Sequence, residues 1–139
     1  MHTRAHLALL LIVLTLTGCG SQTIYPVEGR LVDLDGNPIT SPDLVGASVE
    51  FECLEAPISS SGTLDADGRF RLTTNRAGDG AHVGRNRVLI TPAALDPERA
   101  RPAVILAKYS RYDTSELEVV VEPKNNQIEL RVERVRSRR

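Results

Sequence analysis

Val49-Glu50-Phe51-Glu52-Cys53 decides the fold: apolar side chains alternate with carboxylates one residue apart. A period of two is that of a β-strand with one buried face, whereas a helix would scatter these charges round its axis. The pattern recurs outward along the chain. Val27, Gly29 and Leu31 alternate with Glu28 and Arg30, and Phe70 and Leu72 with Arg69 and Arg71. Val88 and Ile90 follow Gly84-Arg85, Leu117, Val119 and Val121 flank Glu118 and lead to Glu122, and Ile128, Leu130 and Val132 alternate with Glu129 and Arg131. Between these runs stand Asp35-Gly36-Asn37-Pro38, Asp67-Gly68 and Gly78-Asp79-Gly80, turn sequences whose glycines supply positive φ. Short strands at this spacing predict an all-β domain, a single antiparallel β-sandwich of about seven strands or a small barrel. With only 4% aromatic residues the core is expected to be aliphatic, Phe51 and Phe70 being its largest pieces. The best helical candidate is one or two turns at Asp96-Pro97-Glu98-Arg99, where Asp caps and Pro takes the first position.

The amino-terminal segment is of another kind. Arg4, with His2 and His6, precedes an apolar run from Leu7 to Leu16 broken only by Thr15. That run is shorter than the roughly 20 residues needed to cross a bilayer and has the length of a signal-peptide core. It ends in Leu16-Thr17-Gly18-Cys19, which resembles the lipobox of bacterial lipoproteins. The resemblance implies cleavage between Gly18 and Cys19, a diacylglycerol thioether on Cys19 and usually an acylated new amino terminus. An ordinary secretory signal with a chance cysteine is the plainer alternative. Residues 1–18 are thus expected to be removed, 19–25 to form a lipidated start and tether, 26–133 the sandwich, and 134–139 a basic tail. The tail is read as a frayed, solvated terminus, with contact to anionic lipid as the alternative.

Without residues 1–18 the chain keeps sixteen basic against eighteen acidic residues, a net charge of −2. Such a balance argues against nucleic acid as a partner. With Cys19 lipidated only Cys53 remains, so no intrachain disulfide forms and the core is expected to hold by burial.

An ordered series of motifs points to a family. Val27-x-Gly29-x-Leu31, Asp35-Gly36-Asn37-Pro38 and Gly46-Ala47-x-Val49-x-Phe51 resemble the opening of carboxypeptidase-regulatory-like domains, which are transthyretin-like (prealbumin-like) β-sandwiches. Thr63-Leu64-Asp65-Ala66-Asp67-Gly68-Arg69-Phe70 is similar to the family's central hairpin. Gly80-Ala81-His82-Val83-Gly84 leading to Val88-Leu89-Ile90-Thr91-Pro92 is similar to its next strand. Ala107-Lys108-Tyr109-Ser110, Asp113-Thr114-Ser115-x-Leu117 and Asn126 resemble a subgroup of small bacterial envelope lipoproteins carrying this one domain. Asn86 departs from the pattern, standing where the family usually has an aromatic residue. In carboxypeptidases this domain lies beside the catalytic domain and is not the enzyme, so the resemblance implies no activity.

The residues themselves give catalysis little to work with. Beyond residue 18, His82 is the single histidine, set in a glycine-rich stretch with no nucleophile close in sequence. It is read as a surface loop residue. The hydroxyisourate hydrolases that share a transthyretin-like fold use several histidines and a particular tail, and the ending Arg136-Ser137-Arg138-Arg139 does not supply it. Cys53, in phase with Val49 and Phe51, is expected to be buried and inert. Asp65-Ala66-Asp67-Gly68 resembles a fragment of a calcium loop, but Thr63 and Thr74 fall where further oxygen-rich ligands belong. It is read as a hairpin turn, with weak calcium binding by Asp65 and Asp67 left open. Lys108 and Lys124, both late in the chain, argue against an internal isopeptide crosslink.

The reading is therefore a non-catalytic, membrane-anchored envelope lipoprotein, a structural or protein-interaction module without cofactor or resident metal. Its expected partners are the membrane, through lipid on Cys19, and an envelope protein or glycan. The alternative is a carbohydrate- or calcium-dependent ligand-binding domain, for which Tyr25, Tyr109 and Tyr112 are the available aromatics. It is expected at the cell membrane or outer membrane, facing periplasm or exterior. Gly20 stands where some inner-membrane lipoproteins carry Asp, which favours the outer membrane.

Overall fold

A computed structural model describes residues 22–93, 98 and 100–136. The expected signal segment with Gly18 and Cys19, most of Asp96-Pro97-Glu98-Arg99, and residues 137–139 lie outside the described residues. The strands are β1 (Ile24–Tyr25), β2 (Val27–Val32), β3 (Ser48–Cys53), β4 (Ser59–Thr63), β5 (Arg69–Arg71), β6 (Ala81–His82), β7 (Gly84–Thr91), β8 (Glu118–Val121) and β9 (Asn126–Arg131). A one-turn helix, α1 (Tyr112–Ser115), precedes β8, and short 3-10 turns occupy Pro42–Leu44 and Ala107–Ser110.

Two principal sheets, β5-β2-β9 and β4-β3-β7-β8, carry seven strands, and β1-β6 forms a third, two-stranded sheet. The molecule is all-β and sandwich-like, with no barrel closure. It is not wholly antiparallel. β9 runs parallel to β2, in register from Val27↔Asn126 to Val32↔Arg131. The reason lies in the Glu122-Pro123-Lys124-Asn125 turn, which carries the chain from one sheet to the other instead of folding it back within a sheet. A hairpin would have given an antiparallel partner; a change of sheet brings β9 in beside β2 from the same end.

The alternating residues fall where their period demands. Val49, Phe51, Val88, Ile90 and Val121 of one sheet meet Val27, Leu31, Phe70 and Leu130 of the other, all buried. The Phe51 and Phe70 rings pack across the interface with centroids 6.1 Å apart and planes tilted by 58°. Phe70 lies over Gly29, where an added Cβ would stand 2.5 Å from its Cζ and collide with the Ile128 carbonyl. Glycine at this strand position is required by close approach.

Three strands carry no alternation in the sequence. β4 reads Ser59-Ser60-Ser61-Gly62-Thr63, yet it forms five residue pairs with β3 and is bridged through Ser61 to Thr73. β1 and β6 are two residues each. β1 also shortens the expected tether: Ile24 and Tyr25 pair with His82 and Ala81, and the Thr23 carbonyl accepts from Val83 N–H at 2.8 Å. At the other terminus, Arg134 bridges to Ile105 and Val135 N–H donates to the Val104 carbonyl at 2.9 Å. The start of the expected basic tail is thus hydrogen-bonded chain.

The strand directions give the sandwich two unlike ends. One, here the base, gathers Thr23, the Leu54–Ile58 loop, residues 75–80 and the 122–125 turn. The far end gathers the turns at 33–37 and 65–68, the segment 41–47, residues 100–106 and the chain after β9.

Candidate functional site

Cys53, His82 and Glu55 come together at the base. Cys53 ends β3, and its buried Sγ lies 3.5 Å from His82 Nδ1 and 3.6 Å from Glu55 Oε2. His82 is therefore not a surface loop residue: it belongs to β6, is half-buried, and stands against a thiol distant in sequence. The pairing of β6 with β1 and the bend into β7 bring it there. Nδ1 also lies 2.7 Å from the Val83 carbonyl. A carbonyl only accepts, so Nδ1 carries the proton and has no lone pair for the thiol. The thiol in turn donates toward Glu55. Glu55 is held by Arg85 N–H at 2.9 Å, and Asn86 donates to the His82 and Gly84 carbonyls at 3.1 and 2.9 Å. Asn86 thus satisfies its buried amide by tying the β6–β7 bend. The cluster has the chemistry of a hydrogen-bonded staple, with the imidazole Nδ1–H committed to the backbone.

The acidic turns are also internally committed. Asp65 Oδ1 accepts from the backbone N–H of Asp67 and of Arg69, both at 2.9 Å. Asp33 Oδ1 does the same for Asp35 and Asn37, and the Asn37 backbone bond is the main cause holding that carboxyl below the ordinary range. Burial pushes the Asp79 carboxyl up, but the N–H groups of Thr74, Asn75 and Arg76 outweigh it and hold the group below its ordinary value. Among the described residues no three His, Cys, Asp or Glu side chains converge as a metal-binding group.

The tyrosines form no common platform. Tyr109 is buried and its hydroxyl accepts from Glu133 N–H at 3.0 Å. Tyr112 is half-buried, donates to Glu50 at 2.9 Å and lies beneath the Arg87 guanidinium. Burial, then the bond to Glu50, raises its phenol well above the usual range. Other residues from the motif series prove to be staples. Ser115 Oγ donates to the Val88 carbonyl at 2.6 Å, and Asn126 Nδ2 donates to the Pro26, Glu122 and Lys124 carbonyls. Only the burial of these polar groups, invisible in sequence, marks their role.

Both outer sheet faces are laced with ion pairs: Arg30–Glu129 and Arg71–Glu28 on one, Arg87–Glu52 and Arg85–Glu118 on the other. The far end differs. Leu44, Ala47, Ile90, Ala103, Ile105 and Leu106 line an apolar cavity of about 260 Å³. Arg101 reaches along its wall to donate to the Val45 carbonyl at 2.8 Å. Nearby, Lys108 is paired with Glu133, a bond that raises the ammonium above its ordinary value. No helix among the described residues is long and apolar enough to cross a membrane. No protein-family model, curated protein or solved structure matches the chain.

Proposed function

We infer that the protein is a non-catalytic, lipid-anchored module of the bacterial cell envelope, a carboxypeptidase-regulatory-like sandwich that displays a protein-interaction surface. One observation carries the reading: the chain from Cys19 joins the domain at the base, while the apolar cavity opens at the far end, a strand's length of roughly 20 Å away. Such a module needs a fixed end and a presenting end. The buried thiol, held against Glu55, and the half-buried imidazole, whose Nδ1–H is given to the Val83 carbonyl, support a non-catalytic role. With Tyr109 buried and Tyr112 half-buried beneath Arg87, the far end offers a glycan no aromatic platform, which supports a protein partner in preference.

The anchor is tested by mass spectrometry of the mature amino-terminal peptide and by membrane fractionation. The peptide should begin at Cys19 and carry acyl chains. Two or more chains should hold the protein firmly in the membrane fraction, since one gives only marginal binding. Cys19→Ser should leave unprocessed precursor or soluble protein. An unmodified Cys19 in the mature protein would end the lipoprotein reading.

A further inference from the structure

We propose that the Leu54–Ile58 loop rests on the bilayer that holds the Cys19 lipid, with the Leu54 side chain at the boundary between headgroups and acyl chains. The inference deepens the lipid-anchor reading and rests on it. Its ground is how little chain separates the anchor from the fold. Thr23 is fixed by its bond from Val83 N–H, so only Gly20, Ser21 and Gln22 lie between it and Cys19. Four residue steps span at most about 14 Å even when fully extended. The base of the sandwich is therefore held within that distance of the lipid.

The loop shares this edge with Thr23. Leu54 N–H donates to the Arg85 carbonyl at 2.8 Å, two residues beyond the Val83 that fixes Thr23. Leu54 is 40% exposed among the charged turns of the base. Glu55 is exposed, but its carboxylate is held at the side of the loop, accepting from Arg85 N–H and from the Cys53 thiol. Ile58 N–H closes the loop on the Ala56 carbonyl at 2.8 Å, and Pro57 has no N–H to desolvate. The loop thus presents Leu54 and Pro57, with Ala56 half-buried between them and the Glu55 carboxylate hydrogen-bonded beside them. Around it, Arg85 is paired with Glu118 and Lys124 with Glu122. An exposed leucine and proline within reach of the anchor suit an interfacial contact made by side-chain burial.

The sequence contains no tryptophan, so single-tryptophan variants report position directly. Leu54→Trp marks the loop, and Leu34→Trp, at a 61% exposed site in the far-end turn, marks the opposite pole. Each full-length lipidated protein is reconstituted into phosphatidylethanolamine/phosphatidylglycerol vesicles with and without brominated acyl chains. The proposal expects emission from Leu54→Trp to shift to the blue and to fall by about twofold or more with brominated lipid, and Leu34→Trp to be unchanged. Equal quenching at both positions, or none at position 54 in protein that floats with the vesicles, overturns it. Protein that fails to float and lacks acyl groups by mass overturns the anchor reading first, so the two failures are distinct.

Discussion

The contact between Phe51 and Phe70 is the only aromatic pair joining the two principal sheets among the described residues, and its worth can be measured apart from burial. Truncating either ring to alanine should cost about 3–5 kcal/mol, much of the roughly 5–15 kcal/mol available to a small domain. The double alanine variant would then be unfolded and uninformative, so leucine is the better probe. Each Phe→Leu change keeps most of the buried area and should cost about 1–1.5 kcal/mol. A tilted pair at 6.1 Å lies within the range where ring–ring attraction adds about 0.5–1.5 kcal/mol beyond area. The double leucine variant should therefore fall short of the sum of the single costs by about that coupling energy. Urea unfolding followed by far-ultraviolet circular dichroism gives the four stabilities of the cycle. Costs that add to within about 0.3 kcal/mol would show the rings to be independent and refute the cross-sheet pairing.

Four further outcomes follow from the turns and the base. Gly68, at φ +69°, would place a Cβ 2.5 Å from the Ile39 carbonyl, so Gly68→Val should cost about 2–4 kcal/mol in thermal or urea melts. Asp65→Ala, which removes two backbone bonds of an exposed turn, should cost about 1 kcal/mol, with or without calcium; a calcium-dependent loss equal to that of Phe70→Ala would mark a metal site instead. Cys53 should resist maleimide in the native protein and react on unfolding, and rapid native labelling would contradict its burial. Because the Asp79 carboxyl is held below 3.8, its contribution to stability is present above that pH and lost as pH falls through the lower folded value. Asp79→Asn should therefore flatten the acid limb of a stability-against-pH curve, and an unchanged limb would show that the carboxylate bonds carry no weight.

Strand positions and inward faces were legible because a half-buried strand writes its burial into the sequence every second residue. Val49, Phe51 and Cys53 announce their face, as do Ile128, Leu130 and Val132. β4 does not, because its serines cover an edge and its one buried side chain, Ser60, is satisfied by Thr74 Oγ1 at 2.6 Å. The antiparallel reading holds for every strand pair but one, and the direction of β9 was not legible. The alternation of β9 is the same whether it runs with β2 or against it, and only the change of sheet at 122–125 decides between them.

The contacts at the base show why site chemistry was harder to read than the fold. In sequence Cys53 and His82 are 29 residues apart and neither neighbourhood suggests the other. They meet because β1 draws β6 against the end of β3, and β1 is a two-residue strand in what the sequence presents as a tether. In the lipid-anchored form proposed above, the same strand would make the tether short enough to govern how the domain sits over a membrane. A change that frees β1 should therefore act on both properties at once. Gly80, at φ +103°, packs so closely against Tyr25 that any Cβ would strike its carbonyl, so Gly80→Ala should expel β1 from β6. In the lipidated protein that variant should raise maleimide reactivity at Cys53. It should also weaken the quenching of a tryptophan at position 54, because release of Thr23 lengthens the leash. Loss of thiol protection with undiminished quenching would mean that the loop binds the bilayer by its own affinity, and that the short tether does not hold it there.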